Sequence, residues 1–176
     1  KLPKLIASIN ITHQQIAAVG FVGKVKGILA RHKISANRLE FELAEPDVVA
    51  NLDSIADEMH ALNSLGIRFS LDDFGTGFSS LPQIQQLPIT TLKLDVSHVQ
   101  KVITDDDSAN IVKAMIYLAH GLRLKVVAEG VEDENQRAFL LENKCDQLQG
   151  FCYSKPLPIS EFLSFVARID GGKKSG

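Results

Sequence analysis

Six short apolar, β-rich runs alternate along this chain with longer amphipathic ones, and that alternation leaves few folds open. The strand candidates span residues 5–11, 38–43, 67–71, 91–95, 124–128 and 146–153. Between the first two, residues 14–32 place Ile16, Val19, Val22, Val25 and Leu29 close to a helical period. Residues 50–65 and 107–122 carry similar stripes, and residues 132–142 and 159–166 are shorter helix candidates. Gly66 sits where a helix stops, and Pro158 where a first turn tolerates it. Strand, helix, strand, repeated, predicts parallel βαβ units with right-handed crossovers. Two architectures remain, a doubly wound open sheet and a (β/α) barrel.

The strand ends separate the two. Each run is apolar along its length and turns polar at its C-terminal end: Asn10, Glu42, Asp72 with Asp73, Lys93 with Asp95, Glu129, and Gln149. Unpaired burial of an ion costs on the order of several kcal/mol even after relaxation. A barrel gathers all such ends on one face, where barrel enzymes keep their active sites. An open sheet strings them along an edge. The sequence therefore predicts an α/β fold of the TIM-like barrel type.

Composition narrows the function. At 176 residues the chain makes one domain or most of one. A net charge of −2 gives no basic field to draw in polymeric nucleic acid. Two cysteines give no disulfide framework, and no apolar run is long enough to span a bilayer. A cytoplasmic location without membrane contact by this segment is the expectation. Residues 169–176 are expected to form a flexible tail after a domain ending at residue 168.

The segment Asp72-Asp73-Phe74-Gly75-Thr76-Gly77-Phe78-Ser79-Ser80 carries the chemistry. Two adjacent ionised carboxylates repel each other unless a cation sits between them. A glycine-bearing turn after a strand lets backbone N–H groups approach an anion. Together they suggest metal-assisted phosphate chemistry, with a solvated Asp-Asp turn as the ordinary alternative. Lys93 within an apolar strand needs a carboxylate or a functional reason. Asp95 lies on its face under two-residue alternation, so a structural Lys–Asp pair is the plain reading there. The five histidines show no ligand spacing.

These blocks, taken in order, resemble the EAL family of bacterial cyclic-di-GMP phosphodiesterases. The matching tracts are Ser8-Ile9-Asn10-Ile11-Thr12, Phe41-Glu42-Leu43-Ala44-Glu45, the segment from Asp72 to Leu81, and Leu92-Lys93-Leu94-Asp95. Val127-Ala128-Glu129-Gly130-Val131-Glu132 and Gln149-Gly150-Phe151 leading to Lys155-Pro156-Leu157 complete the set. The resemblance implies a modified barrel and two divalent ions, Mg²⁺ or Mn²⁺. Asn10, Glu42 and Asp72 would hold one; Asp72 would bridge to a second held by Asp73 and Glu129. It implies that Lys93 positions the attacking water or screens charge, that Glu129 accepts a proton, and that Gln149, Asp95 and Gly75 contact substrate. Glu45 would brace the glycine loop. Cyclic-di-GMP is the implied substrate and the linear dinucleotide the product. Sensory or GGDEF-type domains upstream and a homodimer are the implied partners.

Departures from the family pattern set further expectations. The Glu-Ala-Leu motif that names the family, with its metal-ligand Glu and following arginine, does not occur, and the chain begins just before the strand carrying Asn10. The two strands that precede it in the family barrel fall outside these residues, which is expected of a fragment, with a naturally truncated domain as the alternative; about six of eight strands leave two edges. These residues alone are expected to hydrolyse cyclic-di-GMP poorly. The alternative is a non-catalytic cyclic-di-GMP receptor, or an interaction module that has lost nucleotide binding.

Overall fold

A computed structural model describes residues 5–75 and 84–172 of the chain. Six parallel strands form one sheet in sequence order: β1 (Ala7–Asn10), β2 (Leu39–Ala44), β3 (Arg68–Phe74), β4 (Ile89–Leu94), β5 (Lys125–Ala128) and β6 (Gln147–Leu148). Helices α1 (His13–Ala17), α2 (Phe21–His32), α3 (Glu45–Ser64), α4 (Val96–Val99), α5 (Asp106–Gly121), α6 (Glu134–Glu142) and α7 (Ile159–Gly172) fill the connections. Among the described residues the sheet is a curled half-barrel with β1 and β6 at its two ends.

Strand side chains alternate between two unlike faces. Phe41, Leu43, Phe69, Leu71, Leu92, Leu94, Val126 and Ala128 are buried in a single core with Ile16, Leu29, Ile55, Met59, Leu62, Val112, Ile116 and Leu140 from the helices. The intervening positions carry Glu40 and Glu42, Arg68, Ser70 and Asp72, Thr91 and Lys93, Lys125, and Gln147. Helices α1 to α6 thus cover one face of the sheet, as in a barrel, and the other face is polar. The strands are not apolar throughout, as their short runs suggested; only the helix-facing half is. Burying that half drives the fold, at roughly 25 cal/mol per Å² of apolar area.

Several boundaries move for local reasons. The helix expected over residues 14–32 is two: Gly20 adopts the left-handed conformation (φ 78°) after Ala18 has left the helix. Val19, expected on the apolar stripe, is 99% exposed at that break. Helix α3 starts at Glu45 instead of residue 50, with Pro46 in its first turn. A kink at Asn51, whose Nδ2 donates to the Asp47 carbonyl at 2.9 Å, divides it and hides the early turn from a periodicity reading. The last strand shrinks from residues 146–153 to Gln147–Leu148, and α7 runs on to Gly172, past the boundary placed at 168. The short helix α4 was not anticipated. Its N-cap is Asp95, whose Oδ1 accepts the Ser97 N–H at 2.8 Å.

Candidate active site

Parallel pairing puts every strand C-terminus on one rim. The register sets Asn10 beside Glu42, Ala44 beside Asp72, Leu92 beside Val126 and Lys93 beside Val127. Glu42, Asp72, Lys93 and Glu129, from β2, β3, β4 and the end of β5, therefore share the polar face.

Their side chains meet. The Lys93 ammonium lies 2.6 Å from Glu42 Oε2, 2.7 Å from Glu129 Oε1 and 3.2 Å from Asp72 Oδ1. Lys93 is 5% exposed and Glu42 8%. An ammonium has three N–H donors and no acceptor, so one donor faces each carboxylate. Burial alone would lower the Lys93 pKa. Hydrogen bonds to Glu129 and Glu42, with the charges of Glu129 and Asp72, outweigh it, and the net shift is upward. Lys93 is a fixed cation. The plain Lys93–Asp95 pair is replaced by this three-carboxylate arrangement.

Three carboxylates against one ammonium leave two negative charges on the rim. Burial raises the Glu129 pKa; Lys93 opposes the rise and the charges of Asp72 and Glu42 add to it. Burial thereby biases Glu129 toward taking a proton.

Asp73 and Asp95 form a second group. Asp73 occupies the left-handed region (φ 55°). Burial raises its pKa, and the charges of Asp72 and Asp95 raise it further. Asp95 is held low, first by the hydroxyl of Ser97, and its side chain also bonds Asp73. Asp95 is thus committed to capping α4 and to Asp73.

The remaining expected site residues lie around this centre. Asn10 is on the exposed edge strand β1, in register with Glu42. Gln149 follows β6; its backbone N–H donates to the Ala128 carbonyl at 2.9 Å, its carbonyl accepts from Val131 at 3.0 Å, and its side chain is exposed. Glu45 is 1% exposed in the first turn of α3, and its Oε2 accepts the Gly75 N–H at 2.8 Å. Gly75 has φ 99°, and a Cβ there would stand 2.0 Å from Met115 Cε on α5. Only glycine satisfies both conditions. The packing of Met115 against this turn carried no signal in the sequence. Residues 76–80 of the glycine loop lie outside the described residues.

Among the described residues, no set of three or more Asp, Glu, His or Cys side chains is arranged to hold a metal ion. The donor chemistry still suits a hard divalent cation: all the candidate ligands are oxygens, and the excess charge is negative. Repulsion among the carboxylates, expected to demand metal, is relieved in part by Lys93.

Comparison with known proteins agrees with this architecture. The sequence profile of the family described as EAL domain matches residues 1–156. The bifunctional diguanylate cyclase/cyclic di-GMP phosphodiesterase MucR of Pseudomonas aeruginosa is 38% identical over 160 residues, 91% of this chain and 23% of its own length. The chain thus spans about a quarter of that relative. The structure of the PaMucR phosphodiesterase in complex with c-di-GMP superposes with a TM-score of 0.84 at 36% identity, covering 89% of this chain and 64% of that one. The Klebsiella pneumoniae BlrP1 manganese/cy-diGMP complex superposes with a TM-score of 0.79 at 25% identity, covering 87% of this chain and 39% of that one. The fold is that of EAL domains, which is TIM-like, and the chain belongs to the EAL domain family.

Proposed function

We propose that this rim is a divalent-metal-dependent phosphodiesterase site that opens one phosphodiester of cyclic-di-GMP to give the linear dinucleotide. The observation that carries the reading is the convergence of Glu42, Asp72 and Glu129 on a buried Lys93 at the strand C-termini. The c-di-GMP complex of the MucR phosphodiesterase, on a closely similar backbone, supports the substrate. The manganese complex of BlrP1 supports a divalent ion.

In this reading Asn10, Glu42, Asp72, Asp73 and Glu129 would hold Mg²⁺ or Mn²⁺. A bound ion supplies a low-pKa water and neutralises the leaving oxygen. Water would add to phosphorus as the P–O bond to the leaving ribose oxygen breaks, and Glu129 would take a proton from the water and return it to that oxygen. Lys93 meets the charge that develops on the phosphoryl oxygens, in a place screened from bulk water. Glu45 holds the turn at Gly75 against the rim. Gln149, exposed beside it, is a substrate contact. Cyclase-type or sensory domains in the parent protein, and a homodimer, belong to the same reading.

Turnover by these residues alone is slow on this account, because Asn10 rides an exposed edge strand. The test is calorimetric titration with cyclic-di-GMP in Ca²⁺, together with chromatography of the product in Mn²⁺. Binding with slow formation of the linear dinucleotide supports the proposal. Absence of both overturns it. Binding without product in Mn²⁺ supports the receptor reading instead.

A further inference from the structure

The carboxylate cluster is organised around an ammonium. Glu42 Oε2, Glu129 Oε1 and Asp72 Oδ1 each point at Lys93 Nζ, at 2.6, 2.7 and 3.2 Å. Asp72 Oδ1 also accepts the Asp73 N–H at 3.1 Å, so that oxygen is doubly engaged. No three acidic groups face a common empty point among the described residues. Two negative charges stay unmatched, yet Glu42 and Lys93 are buried.

We propose that Lys93 is the resident counter-ion of this cluster, and that a divalent ion binds by drawing Glu42 and Asp72 away from it. The inference rests on the metal-dependent reading above. The lysine and the ion compete for the same oxygens, because both need charge-assisted contacts to carboxylates and the cluster has few to share. The flexible four-carbon stem lets the ammonium keep Glu129 while it releases the other two. Two consequences follow from this geometry. Without ions, Lys93 holds the strand ends together against carboxylate repulsion. With ions, part of their binding free energy goes into breaking the lysine contacts, so the native lysine weakens ion affinity.

Lys93→Met keeps length and removes charge. In the absence of nucleotide, calorimetry should show Mn²⁺ binding at least 10-fold tighter in Lys93→Met than in the wild type. Without ions the variant should melt at lower temperature, and saturating Mn²⁺ should raise its Tm by more than it raises the wild-type Tm. Equal or weaker Mn²⁺ affinity in the variant overturns the competition while leaving the metal-dependent site standing. No Mn²⁺ binding by either protein overturns both. A wild-type measurement needs no variant: the Lys93 side-chain ammonium resonance followed through a Mg²⁺ titration. It should shift in proportion to saturation, and a resonance that stays put while calorimetry shows Mg²⁺ binding overturns the proposal.

Discussion

The polar face of this half-barrel carries ion pairs at both ends of its strands, and the two ends behave differently. At the C-terminal end, Lys93 is 6% exposed in its side chain and meets three carboxylates at 2.6 to 3.2 Å. At the N-terminal end, Arg68 Nε stands 3.9 Å from Glu40 Oε2, with side chains 33% and 15% exposed. Arg68 leans instead on the Asn37 carbonyl, at 3.2 Å through Nη2. Burial raises the Glu40 pKa, while Arg68, Lys93 and Lys125 pull it down and Glu42 adds to the rise. Glu40 thus has Arg68 and Lys125 within electrostatic reach, so this end has no excess of negative charge. A cavity of about 330 Å³ lined by Ser8, Glu40, Arg68, Thr91 and Lys125 opens beside them. Loose geometry without excess negative charge describes a solvated structural pair. Excess negative charge with tight geometry describes a place for a further cation. The same residue types on one sheet face thus give two outcomes, set by count and distance.

The strongest test of that contrast is chemical. Glu129→Gln removes the proton acceptor while keeping shape, and turnover of cyclic-di-GMP in Mn²⁺ should fall by about 10² to 10⁴. Glu40→Gln at the opposite end should leave turnover within about twofold. A comparable loss in both variants, measured by product chromatography, would break the division of labour.

Stability offers the next test. Removing Lys93 strands buried carboxylates, so Lys93→Met should cost about 3–5 kcal/mol in ion-free urea denaturation. Arg68→Gln removes a long, partly exposed pair and should cost less than about 1 kcal/mol. Near-equal losses would show that the two ends are held by the same kind of interaction.

How far the sequence showed this contrast depends on which link is asked about. The parallel sheet and its order were legible, because apolar runs and amphipathic periods report directly on burial. The charged strand ends were legible for the same reason: Glu42, Lys93 and Glu129 each interrupt an apolar run. What periodicity could not show was partnership. Lys93 and Asp95 share a face by spacing, but Asp95 is taken by Ser97 and α4, and Lys93 is reached by residues 51, 21 and 36 positions away. Partners of that kind are fixed by the sheet register, which no local pattern encodes. The break at Gly20 was missed because apolar residues on both sides kept a helical spacing, whereas the kink at Asn51 cut the first turns of α3 off from the stripe that begins at Leu52. Met115 against Gly75 was invisible because a core methionine looks like any other.

The rim's backbone is a further point of attack. Gly75→Ala forces a Cβ against Met115 Cε at 2.0 Å and requires an unfavourable φ near 99°. The cost should be about 1–3 kcal/mol. Turnover should drop along with it, because Glu45 and the Gly75 N–H hold the turn beside Asp72. A variant that loses stability and keeps full turnover would show that the turn does not position the acidic rim.

The smallest expected effect belongs to the N-terminal end, where Asp146 precedes β6. Its Oδ2 lies 2.9 Å from His120 Nε2 and accepts the Val126 N–H at 2.8 Å. Burial would raise the Asp146 pKa, but the hydrogen bonds from His120 and Val126 and the charge of His120 bring it below the ordinary value. A carboxylate depressed in the folded state stabilises above its unfolded pKa, about 3.9, and that stability fades as pH falls through the lower folded value. Both side chains are about a third exposed, so solvent screens the pair and the contribution should stay under about 1 kcal/mol. The stability difference between wild type and Asp146→Asn should therefore shrink as the pH falls below about 4. A difference that instead grew on acidification would mean that Asp146 is bound more tightly when protonated. The N-terminal end would then no longer be the ordinary solvated counterpart of the Lys93 rim.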